Sequence, residues 1–269
     1  MGMTVATFAL AATCYVVTTA LFFLHLFRGG ENQARWASLS MAAAAVAQAG
    51  FVASLLWVEH HPLFASIDET LALGSLLVAV AYLATMRRHR LTVLGAFIAP
   101  VCFLMLLGAG VDARVARVSH EVRNALLPLH IGVNILGIVA FALAFAVALA
   151  YMIQEQRLRQ RKLSGIFQRL PALDVLDSMG LRLVTIGFPL FTIGMLTGSV
   201  WAVRAGNGSV TFSPGQGFAV LSWLFFAVVL LARAAAGWRG RRAAVGTVLG
   251  FLCAMAALVG YAVRGLGAS

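Results

Sequence analysis

Apolar residues do not alternate along this chain with the period of a half-buried strand, nor with the narrow stripe of a soluble amphipathic helix. They come in long runs separated by short polar breaks. Eight runs are long enough to cross about 30 Å of hydrocarbon, which takes roughly 17–25 helical residues: Thr4 to Phe27, Ala37 to Val58, Thr70 to Met86, Leu91 to Ala109, Leu126 to Ile153, Leu183 to Val203, Gly217 to Ala236 and Ala243 to Val263. Backbone polar groups in lipid must bond internally, and runs without strict alternation exclude a barrel, so these segments predict helices. The expected architecture is an all-α polytopic bundle of about eight transmembrane helices forming one integral membrane domain over residues 1–269. The apolar stretch at the start continues to Leu26 with no basic leader and no small-residue cleavage site, so it reads as a retained first span. Pro100 and Pro189 fall inside the fourth and sixth runs and should kink or locally open those helices.

The breaks between runs carry the charge. The loops after spans one, three, five and seven hold fifteen Lys and Arg residues against five on the opposite side, which predicts that both termini face away from the cytoplasm. No acidic residue falls inside an expected span, which argues against a proton or cation carrier built on a membrane carboxylate. Asp68 and Glu69 open the third run, where carboxylates suit the positive end of a helix dipole. The longest cytoplasmic segment, 154–182, starts as a charged extension of span five. Past Pro171 it shows apolar positions at Leu173, Leu176, Met179 and Leu183, the spacing of a short amphipathic helix lying at the membrane surface. In span six, Gly194-x-x-x-Gly198 permits close helix contact.

Composition agrees with this reading: 61% of the 269 residues are hydrophobic, 11% are charged, and a soluble globule is excluded. The formal charge of +11 would suggest nucleic acid if it formed one patch, but distributed among short loops it is an orienting signal, and nucleic-acid binding is not expected. Cys14, Cys102 and Cys253 lie in apolar runs with no C-x-x-C pair, as buried thiols would. The five tryptophans fall mostly near run ends, as an interfacial belt would place them.

Of the six histidines, His25 and His89 read as interfacial, and the neighbours His60 and His61 cannot both face one metal without special geometry. His130, in LLPLHIGVN, lies at the outer end of span five. A neutral imidazole there suits an axial ligand to haem iron, and it equally suits an interfacial histidine bonded to a neighbouring loop. His120, ten residues earlier in VSHEVRN, reaches the same iron only if the chain folds back, for which Pro128 offers a break. Arg117 and Arg123 are matched to haem propionates by their bidentate geometry, or belong to an exposed charged loop. Trp201 and Trp223 flank one outer loop and are candidates to line an apolar groove there.

Three stretches then carry a resemblance: LLPLHIGVNILGIVAFALAFAVALAYMIQEQRL, LPALDVLDSMGLRLVTIGFPLFTIGMLTGSVWA and LSWLFFAVVLLARAAAGWRGRR. Over residues 126–242 the chain resembles the CcsA/HemX-type family of cytochrome c assembly membrane proteins, and its first four spans look like the shorter eight-span branch of that family. In the full family a tryptophan-rich outer loop ending in Asp-Pro cradles haem between two outer histidines, and His130 falls on the first of these positions. The corresponding segment here, residues 203–216, has no Trp and no Asp, and the tail GYAVRGLGAS has no His, so a second ligand would be His120 or absent. The resemblance implies a non-enzymatic haem-handling accessory protein in the bacterial inner membrane. Haem would be its cofactor, His130 the iron contact, with His120, Arg123, Trp201 and Trp223 around it, and cytochrome c maturation proteins or other membrane-complex proteins its partners. Two rival readings are a membrane subunit of a transporter or export complex, and a regulator of tetrapyrrole synthesis acting through the 154–182 segment.

Overall fold

The computed structural model describes residues 2–58, 67–89, 91–110, 126–161, 170–205 and 214–267. Among these, eight α-helices and one 3-10 turn account for the secondary structure: α1 Gly2–Arg28, α2 Glu31–Trp57, α3 Ile67–His89, the 3-10 turn Thr92–Leu94, α4 Gly95–Gly110, α5 Leu126–Arg159, α6 Leu173–Ala205, α7 Pro214–Ala236 and α8 Arg241–Gly267. Eight helical segments are long and apolar enough to span a bilayer, the fourth being the 3-10 turn and α4 together, Thr92–Gly110. The chain is an integral membrane protein.

Two sets of four helices make up the molecule. In the first, α1 packs on α2 and α4, and α3 packs on α2 and α4; in the second, α5 packs on α6 and α8, and α7 packs on α6 and α8. The sets meet mainly where α5 lies along α3. The α5 span is 72% buried inside the bundle against 22% for those of α1, α6 and α7, which makes α5 the central helix.

Within lipid the packing of helices relies on close contact and on interhelical hydrogen bonds, because burial of apolar surface offers no gain over lipid tails. The first set uses hydrogen bonds. Gln48 of α2, fully buried, accepts from the Tyr15 hydroxyl of α1, and its amide donates to the Ala72 carbonyl of α3 at 3.0 Å. Ser75 of α3 donates its one proton to the Cys102 carbonyl of α4 at 2.8 Å and stands 3.4 Å from Gln48 Oε1, so one polar cluster joins all four helices. The second set uses aromatic rings. Phe141 of α5 stacks on Phe226 of α7 with centroids 3.6 Å apart and meets Phe191 of α6 edge-on at 5.6 Å, while Phe145 stacks on Phe251 of α8.

Several expectations change at this level. Residues 173–182 do not form a separate surface helix; they are the first turns of α6, which runs unbroken to Ala205. Nothing between Leu173 and Leu183 breaks a helix, and the part-buried carboxylate in this stretch has partners. Asp177 receives both Arg233 nitrogens of α7, at 3.0 and 2.6 Å, and the Gly240 N–H at 2.9 Å. An acidic residue thus lies within a membrane-length helix after all, neutralised across to α7. Gly240 adopts a left-handed φ of 67°, and a Cβ there would stand 2.6 Å from the Tyr151 hydroxyl, so the turn before α8 requires glycine. Pro100 and Pro189 both sit inside continuous helices. Pro128 occupies the first turn of α5, a position that tolerates a missing N–H, and does not break it. Asp68 and Glu69 fall in the first turn of α3, where the dipole argument placed them.

Candidate functional site: a histidine seated on the α5–α6 seam

The α5–α6 pair is the most extensive helix contact in the molecule, and its register is antiparallel. As α5 passes through His130, Asn134, Gly137 and Phe141, α6 passes in reverse through Gly198, Gly194, Phe191 and Gly187. A Cβ added at Gly198 would lie 2.4 Å from His130 Cε1, one at Gly194 would lie 2.4 Å from Asn134 Cγ, and one at Gly187 would lie 2.7 Å from Phe141 Cε1. The glycines are therefore sockets, each holding one side chain of α5 against bare backbone. This is the close contact that Gly194-x-x-x-Gly198 permits, with His130 and Asn134 filling the space.

Close approach lets a side chain of one helix reach a carbonyl of the other. His130 Nδ1 lies 2.7 Å from the Gly194 carbonyl oxygen. One turn along α5, the Asn134 amide nitrogen donates to the His130 carbonyl at 2.8 Å and stands 3.1 Å from Nδ1. A carbonyl only accepts, so Nδ1 carries the proton and donates it to Gly194, and the nearby Asn134 nitrogen is a packing contact at that atom. The remaining nitrogen, Nε2, has no hydrogen-bond partner among the described residues and keeps its lone pair. Metal-binding histidines are typically held in this way, with one ring N–H on a carbonyl and the other nitrogen outward. Among the described residues there is no cluster of three or more His, Cys, Asp or Glu. A single imidazole fits a metal that arrives with its own macrocycle, which is the axial role at haem iron.

The other candidate residues are placed differently. Trp223 sits in the middle of α7, with its indole N–H donated to Thr192 Oγ1 at 2.9 Å and its ring 5.5 Å from that of Phe188. Thr192 and Gly194 are about 200° apart around α6 at 100° per residue, so Trp223 and His130 engage nearly opposite faces of that helix and do not share a wall. Trp201 belongs to α6 three residues beyond Gly198, about 4.5 Å farther along the axis, and its side chain lies outside the described residues. His120 and Arg123 also lie outside them, as do Arg117, His60 and His61. His25 lies in the last turn of α1, 8% exposed among its neighbours. On the face of α5 away from α6, an apolar groove of about 310 Å³ runs between Leu73 and Leu77 of α3 and Pro128, Gly132 and Leu136 of α5; His130 is not among its walls.

Asn134 was not legible as a site residue in isolation. The signal is a shared spacing: His130 and Asn134 are four apart on one helix, Gly194 and Gly198 four apart on another, with Gly187 seven residues before Gly194.

Comparison with known proteins extends beyond the 126–242 stretch. The family model described as Cytochrome C assembly protein matches residues 3–267, including all four N-terminal helices. Cytochrome c biogenesis protein CcsA of Gloeothece citriformis (strain PCC 7424) is 38% identical over 100 residues, covering 37% of this chain and 30% of that protein. The protein of the same name from Synechococcus sp. (strain JA-2-3B'a(2-13)) is 44% identical over 85 residues, 32% of this chain and 24% of that one. The chain thus aligns with less than a third of the length of these relatives. Among solved structures, Cytochrome c Heme Lyase CcmF superposes with a TM-score of 0.64 at 17% identity over 98% of this chain and 50% of that chain, a likeness of fold. With a match that runs from the first helix to the last, the chain belongs to the cytochrome c assembly protein family.

Proposed function

We propose that this protein is a haem-handling accessory of cytochrome c assembly in the bacterial cytoplasmic membrane, binding or passing haem at the non-cytoplasmic face without catalysing its covalent attachment. The observation that carries the reading is the His130 geometry: Nδ1 is committed to the Gly194 carbonyl, which leaves Nε2 as the available ligand atom. Family membership and the name of the fold relative, a heme lyase, support haem as cargo. When bound, haem supplies an iron centre whose electronic state follows its axial ligand. The protein's part is to hold the imidazole in one orientation against the α6 backbone at Gly194 and Gly198.

The non-catalytic part rests on residues 203–216, which contain no Trp and no Asp. Without indole faces the contact area for a macrocycle is smaller, at about 25 cal/mol for each Å² of apolar surface left in water. Protein purified from haem-replete cells is expected to show a Soret band, and His130→Ala to lose or shift it, with partial recovery on adding imidazole. An unchanged spectrum in His130→Ala at normal protein level removes the ligand assignment. Covalent attachment of haem to an apocytochrome by the isolated protein overturns the accessory role.

A further inference from the structure

The geometry points to Gly194, Gly198 and Asn134 as a positioning device that fixes the tautomer and ring orientation of His130, so that Nε2 alone is presented as a ligand; this rests on the reading of His130 as a haem-iron ligand. An imidazole in water prefers the proton on Nε2, and a histidine left to choose would withhold the atom that projects farthest from the backbone. Here the Gly194 carbonyl, 2.7 Å from Nδ1, accepts only and draws the proton to Nδ1. Thr197 Oγ1 stands 3.0 Å from the same carbonyl, but its one proton has a nearer acceptor in the Ile193 carbonyl at 2.8 Å, which leaves the Gly194 oxygen to His130. The bond is possible because neither Gly194 nor Gly198 carries a Cβ; the added atoms would fall 2.4 Å from Asn134 and from the imidazole. Asn134 completes the seat from α5 itself. Its amide is anchored on the His130 carbonyl at 2.8 Å and lies 3.1 Å from Nδ1, filling the space beside the ring and opposing its rotation away from Gly194. An amide turned the other way would set its oxygen against the His130 carbonyl oxygen, so the nitrogen faces that carbonyl and cannot itself pull the proton off Nδ1.

A test that needs no haem comes first. Full-length protein labelled with ¹⁵N-histidine in lipid nanodiscs is compared with His130→Ala to assign the His130 ring signals, at a pH above the ordinary imidazole range. The expected spectrum has Nδ1 protonated and Nε2 bare; a protonated Nε2 overturns the proposal even if haem binds. Gly198→Ala is then expected to return His130 to the Nε2–H form, and in haem-loaded protein to weaken haem binding about 10–100-fold, the usual cost of losing the groups that orient a metal-binding histidine. Gly180→Ala, whose Cβ would make an ordinary 3.7 Å contact with Val147 on the same helix pair, is the control and should change neither readout. Persistence of the Nδ1–H form in Gly198→Ala overturns the steric role of that glycine. If the wild-type tautomer is as expected and haem-loaded protein shows no histidine ligation, the haem reading fails separately from the tautomer assignment.

Discussion

At the residue scale, the buried polar groups of the first helix set are arranged so that losing one partner is worse than losing both. Gln48→Leu removes the amide oxygen that accepts from the buried Tyr15 hydroxyl, a loss expected to cost about 1–3 kcal/mol. Tyr15→Phe removes one bond of a kind that averages about 0.6 kcal/mol within membranes and leaves Gln48 bonded to the Ala72 carbonyl. The double variant should therefore be less destabilised than the sum of the single ones, as read by unfolding in mixed detergent; strict additivity would show that the two side chains are not coupled. His130 stands out in the sequence as a candidate because of its type and its place at the end of a span. Asn134 was not, because an asparagine in an apolar run has a role only once the glycines some 60 residues later face it. Trp223 misled for the opposite reason: counting from a loop placed it near a surface, whereas α7 begins at Pro214 and sets it in mid-helix against Thr192.

At the element scale, α6 joins the membrane-spanning turns to those that precede them through one carboxylate. Asp177 is 10% exposed and Arg233 12%, and the pair is bidentate and part-buried. Arg233→Leu leaves Asp177 with the Gly240 N–H and with Arg239 at 3.5 Å but without its main counter-charge, and is expected to lower the thermal midpoint in detergent. Asp177→Asn with Arg233→Gln, which keeps hydrogen bonding without charge, should recover most of that loss. A double variant as unstable as Arg233→Leu would show that the charges themselves are needed. Helix number and helix type were legible from run length because the lipid environment leaves a single solution for each run. The join at 173–182 was not, since deciding whether an amphipathic stretch lies flat or continues a span depends on a partner in α7 that its own periodicity does not reveal.

At the scale of the whole molecule, the expectation that both termini lie on the non-cytoplasmic side rests on the fifteen-to-five distribution of basic residues between alternate loops. An alkaline phosphatase fusion after Ser269 is expected to be active and a fluorescent protein that matures only in the cytoplasm to stay dark; the reverse pattern inverts the assignment and moves His130 to the inner face. Which helices pair was beyond the sequence, because each run is apolar all round and its packing face is selected by small residues and rings on its neighbours. The antiparallel seam of α5 and α6 has a consequence for how such a protein can diverge. His130 is mounted on the two helices with the closest mutual fit and is bonded to the Gly194 carbonyl, so its seat is built from α5 and α6 themselves. A segment exchanged between α6 and α7 is therefore expected to leave that seat in place. Replacing residues 206–213 with a tryptophan-rich loop should tighten haem binding while leaving the His130 tautomer as it was, so that affinity and ligand chemistry are tuned by separate parts of one chain.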